Sequence, residues 1–129
     1  VEGSISGSGS DPDIVLNDPS DRRLKENIID LPDAMSIITK IKPRNFNFKE
    51  YGKDKVQYGF IADEWFDVFP NNVIGLRDAD GKLITDAMTT NDEGEEVIDR
   101  QMISTKVVIP VLVKAIQELS AKVEALENA

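Results

Sequence analysis

Ser20-Asp21-Arg22-Arg23-Leu24-Lys25-Glu26-Asn27-Ile28 divides this 129-residue chain into two parts of different character. Before it, residues 1–13 read VEGSISGSGSDPD and contain almost no core-forming side chain. Gly and Ser make such a segment flexible when alone. A short β-prone run, Ile14-Val15-Leu16, and a turn at Asn17-Asp18-Pro19 complete the arm. Residues 1–19 thus read as a linker or as the end of a β-stalk that is ordered only when several chains associate. After the stretch, the pattern becomes that of a folded domain, residues 20–129. The stretch itself sets the Ser20 hydroxyl five residues before the Lys25 amine, at a junction where a chain could cut itself.

Composition narrows the chemistry. The chain is 40% hydrophobic, enough for one modest core but not two. It has no Cys and no His, so disulfides, His-based triads and thiolate or imidazole zinc sites are excluded. Catalysis here must use Ser, Thr, Lys, Asp, Glu or Tyr. The net charge of -9 is uneven, with eleven acids in residues 61–99 against Arg77 and Lys82 alone. That balance argues against nucleic acid as a partner, because non-specific binding needs excess Lys and Arg. No apolar run approaches a membrane span, and the N-terminus does not read as a signal peptide. The chain starts with Val1 rather than Met, as a fragment of a longer one would. No P-loop, GxGxxG, HExxH or EF-hand pattern occurs, and no cofactor or metal is expected. The acids at 92–96 lack the ligand order of a calcium loop.

Working outward, Leu31, Ala34, Ile37, Ile38 and Ile41 recur at helical spacing and predict a helix over 32–41, opened by Pro32 and Asp33 and ended by Pro43. Arg44 to Lys49 alternates around Phe46 and Phe48, a strand pattern, with Val56 to Ile61 as its partner. Ala62 to Phe69 predicts a short helix stopped by Pro70. Val73 to Leu76 and Lys82 to Thr85 read as strands around an Asp80-Gly81 turn. Residues 86–96 read as an exposed polar loop, and 97–103 as ambiguous, with a last strand possible there. The fold class is α+β, a small sheet with short helices.

A helix over about 108–127 closes the chain. Ile109, Ile116 and Val123 fall at a positions and Leu112, Leu119 and Leu126 at d positions, a coiled-coil pattern little more than two heptads long. The helix either lies on its own domain or joins other chains through this seam. The narrow seam favours association, and its residue types alone favour parallel dimers.

A serine hydroxyl is a weak nucleophile until a base takes its proton. Without His, Lys is the best candidate, provided that desolvation or neighbouring positive charge brings it toward neutrality. Arg22 and Arg23 would help, whereas Asp21 and Glu26 would oppose. Five residues is not a same-face helical spacing. The pair therefore needs a turn or bend, or a Lys from a neighbouring chain. From spacing alone, Ser20 equally reads as a cap or turn residue after Pro19, and Lys25 as a surface lysine.

Taken together, Ser20 to Ile28 resembles the opening of the intramolecular chaperone domains at the C-termini of bacteriophage tail spikes, tail fibres and neck appendages. These are the autocleaving endosialidase-type, or S74-peptidase-type, domains, a group that includes the self-cleaving region of the myelin regulatory factor. Ile41-Lys42-Pro43-Arg44-Asn45-Phe46-Asn47-Phe48 is similar to the family's strand. Tyr58-Gly59-Phe60-Ile61-Ala62-Asp63-Glu64 is similar to its Gly-Phe-Ile-Ala-Gln-Glu signature, with Asp63 at the Gln position. Val108 to Leu119 resembles its terminal helix. The resemblance runs over residues 20–127. It implies a homotrimer built on the 108–127 helix, which helps an upstream β-fibre of the same polypeptide to fold. It also implies self-cleavage of Pro19–Ser20, with Ser20 as nucleophile and Lys25 as base, once per chain. Localisation would be the host cytoplasm during virion assembly. The alternatives are a non-catalytic assembly cap and an adaptor domain that binds through its last helix.

Overall fold

The computed structural model describes residues 18–129. The Gly/Ser arm and the β-prone run at 14–16 lie outside the described residues. What is described falls into two compact units, parted between Asp30 and Leu31. In the first, a single 3-10 turn spans Arg22–Leu24, and no residue from 18 to 30 is buried.

The second unit is α+β, with helices α1 (Ala34–Ile38), α2 (Ala62–Phe66) and α3 (Val108–Glu127). Its strands are β1 (Arg44–Phe46), β2 (Gln57–Gly59), β3 (Val73–Ile74), β4 (Met88–Thr90), β5 (Glu96–Ile98) and β6 (Met102–Ile103). They form three separate two-stranded antiparallel ladders, β1–β2, β3–β6 and β4–β5, in place of the one small sheet expected.

α1 is half the predicted length. Asp33 caps it from a left-handed conformation, φ 36°, with its carboxylate accepting from Ser36 N. The Ser36 and Thr39 hydroxyls donate to the carbonyls of Asp33 and Ser36, 3.1 and 3.0 Å away. Such local bonds compete with helix propagation, and the β-branched run Ile37-Ile38-Thr39 weakens it further. The expected β1–β2 pairing is present, with Arg44 opposite Gly59 and Phe46 opposite Gln57. Gly59 lets the Phe46 ring lie close over the strand: a Cβ there would stand 3.2 Å from the ring, which would have to give by a few tenths of an ångström.

Two expectations are corrected. β3 pairs with β6 rather than with residues 82–85, which join the 73–77 segment through a single Arg77–Leu83 bridge and the bond from Ile84 N to Leu76 O. The 86–96 stretch is not an open loop: it is most of the β4–β5 hairpin. Its turn copies the preceding one. In Asp78–Lys82 and in Asn91–Glu95, the first side chain accepts backbone N–H groups two and four residues on. In both, the glycine at the fourth position has φ near +80°, Gly81 at 81° and Gly94 at 80°. Only glycine takes that conformation without steric cost.

The core has two parts. Ala34, Val111 and Ala115 are buried where α1 meets α3, with Leu31, Met35, Ile37, Ile38 and Phe69 packed against them. Trp65, 1% exposed, stacks between Phe60 and Phe69 at centroid distances of 4.3 and 4.8 Å. Its indole N–H donates to Ser104 O at 3.2 Å, which satisfies the polar end of a buried ring.

α3 occupies the predicted span, and it does lie on its own domain, but not by the seam. Val111, Ala115 and Glu118, spaced by four and three residues, face α1. Glu118 accepts from Ala34 N at 3.2 Å and Met35 N at 2.9 Å, so its carboxylate satisfies two free donors of the short helix. The seam residues Ile109, Leu112, Ile116, Leu119, Val123 and Leu126 remain exposed, Ile116 by 65% and Leu126 by 76%. No helix among the described residues is long and apolar enough to cross a membrane.

Candidate functional site

The bend that the Ser20–Lys25 spacing requires is present within one chain. Asp21 stands at the N-cap in extended backbone, and the turn closes through bonds from Leu24 N to Asp21 O (3.0 Å) and from Lys25 N to Arg22 O (3.1 Å). Lys25 then leaves in extended conformation. The chain is thereby folded so that Lys25 Nζ donates to Ser20 Oγ at 2.8 Å. Both side chains are exposed. Pro19, whose carbonyl precedes the Ser20 nitrogen, is exposed too.

Asp21 is engaged by Arg23: its Oδ1 accepts from Arg23 N at 2.9 Å and Nε at 3.1 Å, and its Oδ2 accepts from a guanidinium nitrogen at 2.7 Å. The Arg23 side chain, and then its backbone N–H, hold the Asp21 carboxyl below the ordinary carboxylate range, and Asp21 in turn raises Arg23. Asp21 is thus the cap of the turn. An Asp just ahead of a turn is a cap signal in the sequence. Asn27 takes a left-handed conformation, φ 55°, which redirects the chain just after the pair and suits Asn better than most residues.

In the second unit, Arg44 on β1 grips Glu64 on α2 through two parallel bonds, 2.9 and 2.6 Å. Hydrogen bonds from Arg44 hold the Glu64 carboxyl below its ordinary range. Arg44 and Glu64 come from two of the three family-like motifs of this unit. The neighbouring Asp63, at the family's Gln position, is exposed. An open groove of about 630 Å³, lined by Phe48, Tyr51, Thr85, Ile98 and Arg100 among others, contains neither Ser20 nor Lys25. No group of three or more acidic side chains among the described residues is placed to hold a metal ion.

Sequence reasoning missed the Arg44–Glu64 pair and the cap that Glu118 gives to α1. Both join residues far apart in the chain, and nothing in local spacing marks them.

Comparison with protein families bears out the resemblance over residues 20–74, which match the model of the chaperone of endosialidase, Peptidase_S74. The matched model is described as a chaperone and carries the name of a peptidase family. The matched span starts at Ser20 and includes Lys25, β1, β2, α2 and β3. No curated protein matches the chain.

Proposed function

We propose that this chain is a homotrimeric chaperone for an upstream β-fibre of the same polypeptide and that it releases itself by one autocatalytic cut at Pro19–Ser20. The observation that carries the reading is the 2.8 Å contact between Lys25 Nζ and Ser20 Oγ, at the first residues of the family match. The neutral Lys25 amine takes the proton from the Ser20 hydroxyl, and Oγ attacks the Pro19 carbonyl carbon. The Pro19–Ser20 C–N bond breaks as Lys25 returns the proton to the leaving Ser20 nitrogen. The Pro19 acyl group is then held as an ester on Ser20 Oγ. Water opens the ester, giving a Pro19 carboxylate and a free Ser20 hydroxyl. No cofactor or metal enters.

Exposure of both side chains in the single chain gives assembly a chemical task. An amine accepts a proton only when neutral, and desolvation favours that form. A neighbouring copy set over the pair supplies the desolvation, so cleavage follows trimerisation. The exposed α3 seam is the surface for that association. Three chain ends held together fix the register of a β-fibre, whose long-range pairing is otherwise slow and ambiguous. Cutting afterwards leaves the fibre kinetically trapped. On this reading the cut belongs to virion assembly in the host cytoplasm, the setting that the family resemblance implies.

The test is the mass of freshly expressed wild-type chain beside Ser20→Ala and Lys25→Arg. The expected result is a wild-type product beginning at Ser20 and whole chains for both variants, since a guanidinium cannot serve as the base. Lys25→Arg cleaving at the wild-type rate would remove Lys25 from the mechanism. A whole wild-type chain that sediments as a trimer would leave the non-catalytic cap, and a monomer would leave the adaptor.

A further inference from the structure

We infer that Asp21 is a positioning residue for the Ser20–Lys25 pair, capping the turn that brings hydroxyl and amine together. The inference rests on the proposed cleavage for its role in the reaction, but on the turn alone for its geometry. Residues five apart on a continuous helix do not share a face. They meet here because the chain makes one 3-10 turn over Arg22–Leu24 and then straightens. None of residues 18–30 is buried, so apolar packing does not fix that turn. Hydrogen bonds do, and the Asp21 carboxylate takes four of them, all from Arg23.

The bond from Arg23 N satisfies a backbone donor that the start of a turn leaves free. The guanidinium holds the carboxylate from the other side, at 2.7 to 3.2 Å, and so fixes the rotamer in which the cap is made. Without the carboxylate, the turn opens more often. The rate of attack then falls with the fraction of chains in which Oγ and Nζ are in reach. This role differs from an electrostatic one. A carboxylate acting by its charge would be lost in Asp21→Asn as fully as in Asp21→Ala, and removing it would shift the pH–rate profile. A cap survives as Asn, which serves about as well at that position, and its loss lowers the rate without moving the profile.

Two measurements on the full chain test this. In the first, cleavage is timed across pH for wild type, Asp21→Ala and Asp21→Asn. Asp21→Ala is expected to be slower by roughly fivefold, the size of a lost cap, with the profile unmoved and the thermal midpoint unchanged, and Asp21→Asn to recover most of the rate. In the second, the uncut Ser20→Ala background is used, and the nuclear Overhauser contact between the β-protons of residue 20 and the ε-protons of Lys25 is recorded. It should be present with Asp21, retained in Asp21→Asn and lost in Asp21→Ala. Wild-type cleavage in Asp21→Ala, or an intact Overhauser contact there, overturns the inference. If wild-type chain does not cleave at all, the proposed function fails while the Overhauser series still decides the role of Asp21.

Discussion

The turn at residues 20–25 and the joint between α1 and α3 are built by opposite means. The turn is made by residues two to five positions apart, with no buried side chain. The joint is made by residues more than seventy positions apart: Glu118 reaches Ala34 and Met35, and Val111 and Ala115 close over an Ala34 that is 0% exposed. The difference teaches where each property is encoded. Chemistry needs two side chains at hydrogen-bond distance, and a nine-residue motif suffices for that. Stability needs apolar area removed from water, and among the described residues only 31–129 provide it.

The largest expected effect breaks the second region and spares the first. Trp65→Ala deletes the most deeply buried large side chain and should cost roughly 3–5 kcal/mol by thermal or denaturant unfolding. Ser20→Ala, at an exposed position, should stay within about 0.5 kcal/mol of wild type while abolishing the cut. A Ser20→Ala chain with a clearly lowered unfolding midpoint would show that the turn contributes to stability, and the contrast would fail.

Next come the two faces of α3. Ile116→Asp with Leu119→Asp puts charge on the exposed seam and should disperse the proposed trimer in sedimentation, with helix content retained in the monomer. Glu118→Ala works on the other face. It strips the partner from two part-buried backbone N–H groups and should cost about 1–3 kcal/mol, with the oligomer retained. Sedimentation showing an unchanged trimer in the seam variant would sink the idea that this helix assembles the chain.

These contrasts also explain how much was legible in the sequence. Ser20, Lys25 and the need for a bend between them could be read because the pair and its turn lie within six residues. The 108–127 helix could be read because its seam repeats over the whole span. Its second face could not: Val111, Ala115 and Glu118 gain meaning only from α1, 73 or more positions away. The β4–β5 hairpin has a legible signal, because Asn91 to Gly94 repeats the spacing of Asp78 to Gly81. High charge at 92–96 masked the turn signal. The β3–β6 pairing gave no such warning, since a sequence-adjacent partner at 82–85 was the simpler choice.

The repeated turn supplies a smaller test. Gly94→Ala and Gly81→Ala each force a Cβ into a left-handed residue, although nothing lies within 4 Å of either added atom. The cost is then conformational only, roughly 1–2 kcal/mol at each site. Equal losses in unfolding free energy would confirm that the turns are equivalent. A larger loss at Gly81 would show that the Arg77–Leu83 bridge depends on its turn more than the β4–β5 ladder does.

The smallest effect concerns two carboxylates that arginines hold below their ordinary range, Asp21 by Arg23 and Glu64 by Arg44. Both are lowered in the folded chain, so each contributes stability that is fully present above the unfolded value, 4.5 for Glu64, and is lost as pH falls through the lowered folded value. Glu64 joins β1 to α2, so its loss is felt by the domain, though only weakly, since water screens the pair. The hydrogen bonds of the Asp21 carboxylate stay within its own turn. Thermal midpoints recorded from neutral pH downward should therefore fall less in Glu64→Gln than in wild type, because the variant has no proton to take up at that position. Asp21→Asn should follow the wild-type curve, its change confined to the amide signals of residues 21–25. A flattened midpoint curve for Asp21→Asn would mean that the turn and the domain unfold as one unit, and the contrast between the two regions would then hold for geometry but not for energy.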